Sequence, residues 1–239
     1  MSKDFWEDSI EVGYYDKLLK KGLQKNKGIQ PAWHHLTFLE ISENINNENI
    51  HLDYATGPGT FIGIYLDNDK ATGVDISTQQ IKYAKNNYTD NTFYTLEEFD
   101  ASTYKEYFET ITVIGLIEFL NDEEVVNLIK YLKSLLKANG EIIFSTPNFK
   151  GFMSFFSILI RHIGPINYQE QWVNKFNKKT LTKLLKANNI NNFSIEKHLN
   201  FALALSFFSL DLGVKASRFF SKLFKYNIGW LLILKLNKQ

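Results

Sequence analysis

Two aspartates flanking a run of small residues form the part of this chain best suited to chemistry: HLDYATGPGTFIGIYLDNDKATGVDIS, residues 51–77. A short apolar run ends at Asp53, the loop that follows holds Ala55, Gly57 and Gly59, and a second apolar run ends at Asp75. Residues with little or no side chain let backbone amides approach a ligand, and the N-terminus of a following helix offers free N–H groups. An acid at the end of the second run is placed to accept hydrogen bonds from both hydroxyls of a ribose. Gly57, Gly59 and Gly63 could alone be read as a dinucleotide fingerprint. Asp53 speaks against that, because a carboxylate just before the loop repels a pyrophosphate and suits a cation.

The elements that must hold these residues alternate along the chain. Short β-rich runs are expected at Ile50 to Tyr54, Ala71 to Val74, Thr92 to Thr95, Thr110 to Ile114, Glu141 to Ser145, Phe193 to His198 and Trp230 to Leu236. Helices fall between them. Ser77 with Gln80, and Asn121 with Glu124, have the spacing of capping boxes. The second box opens a helix striped with Val126, Ile129, Leu132, Leu135 and Leu136, for which Gly140 would be a left-handed cap. The alternation predicts an α/β fold with a doubly wound sheet.

Over residues 50–148 this order resembles the class I S-adenosylmethionine-dependent methyltransferases. The likeness is carried by LDYATGPGT, GVDISTQQIKYAKNN, VIGLIEFLND and GEIIFSTPN, in that order. The resemblance implies a Rossmann-like fold, a mostly parallel seven-stranded sheet whose last strand is antiparallel, and S-adenosyl-L-methionine as cofactor. It implies that Asp53, Ala55, Gly57 and Gly59 line the methionine end, Asp75 holds the ribose, and Ile76 covers one face of the adenine. Glu97 or Glu98 would stand near the adenine amino group, and Gly115 near the methionyl group. Two departures stand out: Ala55 replaces the usual first glycine of the loop, and Phe119 stands where many relatives have histidine.

Methyl transfer asks mainly that the acceptor be held in line with an already activated donor while water is excluded. Side chains available as a base are His34, His35, Glu118, Tyr14 and Tyr15, with His34 and Glu118 the expected catalytic pair. Tyr14, Tyr15, Trp33, Phe119, Phe152 and Phe156 are expected to bind the acceptor.

Composition bounds the rest. The 239 residues, 44% of them apolar and 22% charged, fit a single domain: a helical cap over 1–48, a cofactor core over 50–148, and helical insertions at 149–178 and 201–227. A net charge of +1 argues against a nucleic-acid partner, and the lack of cysteine excludes thiolate catalysis and cysteine-bound zinc; no metal is expected. Neither a secretory signal nor a spanning helix is evident, so a cytoplasmic location is expected. Both insertions are rich in phenylalanine. Within 214–225, VKASRFFSKLFK places Lys215, Arg218, Lys222 and Lys225 on one arc of a helix and Ala216, Phe219, Phe220 and Leu223 on another. That pattern suits peripheral contact with a membrane, whereas apolar insertions could equally meet in a homodimer. The expected acceptor is a hydrophobic or amphiphilic small molecule such as a quinone precursor, isoprenoid or lipid. A soluble methyltransferase of a polar metabolite and a non-catalytic binding protein are the alternatives.

Overall fold

The computed structural model describes residues 3–66, 69–150 and 171–238. Seven strands form one sheet: β1 (His51–Tyr54), β2 (Ala71–Asp75), β3 (Thr92–Thr95), β4 (Phe108–Ile114), β5 (Leu136–Pro147), β6 (Phe193–His198) and β7 (Leu231–Asn237). Their spatial order is β3-β2-β1-β4-β5-β7-β6. The first five strands are parallel, and β7 runs antiparallel to both β5 and β6, as the resemblance implies.

Alternation along the strands gives the sheet two apolar faces. Ile142 and Phe144 of β5 join a core with Val125, Ile129 and Leu132 of α6 (Asp122–Leu135) and with Leu181 and Leu185 of α7 (Lys178–Ala187). Ile143, between them, faces the opposite core. There it meets residues of α3 (Ile29–Ser42), α4 (Thr60–Tyr65), α5 (Thr78–Asn87) and α8 (Leu210–Leu223). The two shortest N-terminal elements, α1 (Lys3–Asp8) and α2 (Tyr14–Lys25), complete the cap.

Local signals held with two corrections. Asn121 and Glu124 make a reciprocal capping box. Ser77 caps α5 through the backbone N–H of Gln80, but the Gln80 side chain does not return to it. Asp75 has already taken the Ser77 N–H, so the Gln80 amide bonds Gly13 N and Glu11 O in the α1–α2 link instead. Gly140 is not a helix cap. The helix stops at Leu135 because Leu136 pairs with Phe108 at once, and Asn139 takes the left-handed backbone (φ 64).

The second insertion is helical, as expected, comprising a 3-10 segment (Phe201–Phe207) and α8. One residue of its basic arc is misplaced by the sequence pattern. Arg218 turns inward, its Nε 3.0 Å from Glu40 and its Nη2 paired with Glu43, both at the C-terminal end of α3. The buried carboxylate of Glu40 attracts the guanidinium more strongly than solvent does. Among the described residues no helix is long and apolar enough to cross a membrane.

Candidate cofactor site

Strand order reverses between β1 and β4, and in open α/β sheets the crevice outside the carboxyl ends at that point is where ligands bind. Asp53 lies there, buried and directly opposite Thr112 of β4. The Thr112 hydroxyl donates to Asp53 Oδ1 at 2.7 Å, and His51 Nε2 lies 2.9 Å from the same hydroxyl. Since that hydroxyl spends its proton on the carboxylate, His51 must donate from Nε2. Burial keeps the imidazole neutral, its pKa pushed down to about 3. It pushes Asp53 up to about 7, with the nearby Asp75 charge adding to the rise and the Thr112 bond opposing it.

The chain leaves β1 through a tight loop. Ala55 (φ 66) and Thr56 both donate to the Val74 carbonyl, which ties the loop to the end of β2. Gly57 and Gly59 serve different ends. A β-carbon on Gly59 would strike Phe93 and Ala84 at under 3 Å, so this glycine lets the loop pack on β3 and α5. A β-carbon on Gly57 would meet nothing within 4 Å, and the residue borders open space. Gly63, in contrast, lies inside α4 against the Tyr88 ring, away from any fingerprint role.

Asp75 at the tip of β2 accepts from Gly57 N and Ser77 N, both at 2.8 Å, one on each oxygen. Burial raises its pKa against the pull of the Ser77, Gly57 and Ile76 N–H groups. Leu96 N donates to the Asp75 carbonyl and holds the tips of β2 and β3 together. The two acids beyond β3, Glu97 and Glu98, are both exposed, and Glu98 accepts from Thr95 N and from Lys85 of α5.

Glu118 sits in a 3-10 turn (Ile117–Phe119) after β4. Its buried carboxyl accepts from Thr146 at 3.0 Å, and desolvation pushes it up to about 7. A β-carbon on Gly115 would approach Glu118 Oε1 at 3.7 Å and nothing else, so this carboxyl oxygen lies beside the second open glycine of the site.

The N-terminal helix spans the mouth. The Trp6 ring stands edge-on to Phe119 at 5.0 Å, while Glu7 accepts from Ser77 Oγ, Thr78 N and Gln79 N. One short helix thus touches both the exit of β4 and the start of α5. The other expected residues cluster on α2 and α3. Tyr15 meets His34 edge-on at 5.3 Å, Tyr14 packs on Tyr15, and Trp33 joins the core under α3. Burial pushes His34 down to about 4, so it is neutral at physiological pH. His35 is held by the Tyr65 hydroxyl at 2.5 Å. Among the described residues no hydrogen bond, ion pair or ring contact joins His34 to Glu118, Asp53 or Asp75. Phe152 and Phe156 lie outside the described residues.

Sequence reasoning missed Thr112, Thr146, Trp6 and Glu7. A hydroxyl inside an apolar strand was a readable sign for Thr112 and Thr146, since a buried polar group needs a partner. Glu7 and Trp6 carried none, because their partners are more than 60 residues away.

The donor set fits a cationic nucleoside: two carboxylates, a loop amide bonded to one of them, and two glycines bordering open space. A family described as a methyltransferase domain matches residues 27–195. No curated protein matches the chain. Among solved structures, the chain is similar to an S-adenosylmethionine-dependent methyltransferase from Thermotoga maritima (14% identity, 86% of this chain and 89% of that one, TM-score 0.59). It is also similar to magnesium protoporphyrin IX methyltransferase from Synechocystis PCC 6803 with bound S-adenosylhomocysteine (15%, 99% and 98%, 0.56). The third is the plantazolicin methyltransferase BpumL, in complex with S-adenosylhomocysteine and a pentazolic desmethyl plantazolicin analogue (15%, 99% and 94%, 0.59). At such identities the likeness is one of fold.

Proposed function

This chain belongs to the S-adenosylmethionine-dependent class I methyltransferases, and on that premise we propose that its acceptor is a hydrophobic or amphiphilic small molecule methylated on O, N or C. The observation that supports the reading is the turn that holds Glu118: a carboxyl with a pKa of about 7 beside the open side of Gly115, next in the chain to Phe119, whose ring meets Trp6 of α1. A quinone precursor, isoprenoid or lipid would bring both an apolar body to those rings and a polar atom to that acid.

Asp75 would hold the ribose hydroxyls, and Asp53 the positive end of the cofactor, with Thr112 fixing the orientation of the Asp53 carboxylate. Ile76 would lie along the adenine, with Glu97 or Glu98 near its amino group. When bound, S-adenosylmethionine supplies an electrophilic methyl group on a sulfonium. The protein's share is alignment, exclusion of water by α1, and proton removal where the acceptor needs it. Glu118 is half-ionised near neutrality and can take that proton; His34 is neutral and is the second base to test. Tyr14, Tyr15, Trp33 and the segment containing Phe152 and Phe156 complete the proposed acceptor side. The protein would work in the cytoplasm, resting on a membrane through its second insertion.

Incubation with radiolabelled S-adenosylmethionine and separate lipid and aqueous extracts tests the reading. Label in an organic-soluble product, lost in Glu118→Gln or His34→Ala, is the expected result. Label only in water-soluble product sinks the hydrophobic acceptor, and cofactor binding without transfer to either extract sinks the enzyme.

A further inference from the structure

The helix α8 leaves large apolar side chains on its outward side. The face turned to the protein carries Leu210 and Val214, which join the core, and Gly213, Ser217 and Ser221, buried against Ser206 and Asn200. Gly213 is set so close to Ser206 that a β-carbon would overlap its hydroxyl. The outward face carries Leu212, Phe219 and Leu223, spaced seven and four residues apart and therefore in one row. Phe219 is 64% exposed and Leu223 59%. The preceding 3-10 segment extends the surface with Phe201, Phe207 and Phe208, the last 75% exposed. Ring contacts from Phe201 to Phe220 and from Phe220 to Phe219 and Phe224 make the patch continuous. Monomeric proteins seldom leave so many large apolar groups together in water.

Charge identifies what covers it. Lys215 and Lys222 are exposed beside the apolar row, Lys225 follows the helix, and Lys27 stands over the Phe207 ring at 5.3 Å; Asp211 is the one exposed acid of α8. Position agrees. The segment leaves the sheet at the carboxyl end of β6 and returns at the start of β7, beside Pro147, so both its ends lie at the edge where the cofactor site opens. We propose that residues 201–225 dock this enzyme on an anionic lipid bilayer, the phenylalanines entering the interface and the lysines meeting the headgroups. A second copy of the chain fits less well, because it would bring two lysine rows into one desolvated interface. The inference deepens the membrane part of the proposed function and rests on it only for why a lipid-borne acceptor would matter.

Co-flotation of the full chain with vesicles tests it, using phosphatidylcholine alone and phosphatidylcholine mixed with phosphatidylglycerol. Binding is expected on the mixed vesicles, weakened by added salt. Phe208→Ser with Phe219→Ser, and separately Lys215→Glu with Lys222→Glu, should each reduce it about tenfold or more. Both pairs are exposed, and calorimetry with S-adenosylhomocysteine should show unchanged cofactor affinity. Absence of binding, equal binding to both vesicle types, or undiminished binding by the variants overturns the proposal. So does a dimer in sedimentation velocity that Phe208→Ser with Phe219→Ser dissociates. Loss of cofactor binding by the wild-type chain would instead overturn the reading of the site and leave the vesicle result standing.

Discussion

Ala55 holds a left-handed backbone at a bend where a side chain is disfavoured, and it does so because its amide must reach the Val74 carbonyl. Relief of roughly 1–2 kcal/mol of strain, set against roughly 0.4–1 kcal/mol of added freedom in the unfolded chain, makes Ala55→Gly stabilising by about 0.5 kcal/mol. Urea denaturation should show that gain, and a loss would mean the methyl group packs usefully. Asp53 makes a second prediction. Its carboxyl is held at about 7 in the fold against an ordinary 3.8, so the folded chain keeps a proton that the unfolded chain releases. Its contribution to stability is therefore fully present below about pH 4 and is lost as the pH rises through 7. A cation favours the ionised form. Affinity for S-adenosylmethionine should therefore increase about tenfold per pH unit below 7 and flatten above it, a slope that calorimetry should find missing in Asp53→Asn. At this scale the sequence exposed the acids and glycines, because their types are unusual where they stand. It did not expose Thr112 as the group that orients Asp53, since that depends on the register of β1 against β4.

Elements show how one amphipathic pattern can be satisfied in two ways. The periodicity of α8 announced a helix with apolar and basic arcs, but a period cannot say which arc the protein buries. Contacts between Gly213 and Ser206 and between Ser217 and Asn200 decided it, drawing Arg218 down to Glu40 and Glu43 and leaving Phe219 and Leu223 outside. Arg218→Ala leaves the buried Glu40 carboxylate without its guanidinium partner and should cost about 2 kcal/mol, whereas Lys222→Ala, exposed and without an ion pair among the described residues, should change stability by less than about 0.5 kcal/mol. Equal effects in urea melts would show that the helix docks otherwise. The same logic explains Gln80, whose spacing from Ser77 invited a capping box until the α1–α2 link claimed its amide.

Across the whole molecule, the candidate site draws on the tips of β1, β2 and β4, with α1 in contact with Ser77 and Phe119, so a ligand there would bridge pieces far apart in sequence. S-adenosylhomocysteine at a hundredfold excess over its dissociation constant should raise unfolding free energy by about 2.7 kcal/mol, with no shift from NAD; the reverse pattern in thermal melts would refute the cofactor assignment. Sequence alone determined the alternation of strands and helices, the doubly wound sheet and the small-residue loop after β1, because period, caps and small residues are encoded within a few positions of one another. Only the tertiary structure decided which hydroxyl orients Asp53, which helix covers the mouth and which face of α8 looks outward. Those outcomes depend on residues dozens of positions apart competing for the same donor, acceptor or packing surface, and no local pattern records the winner.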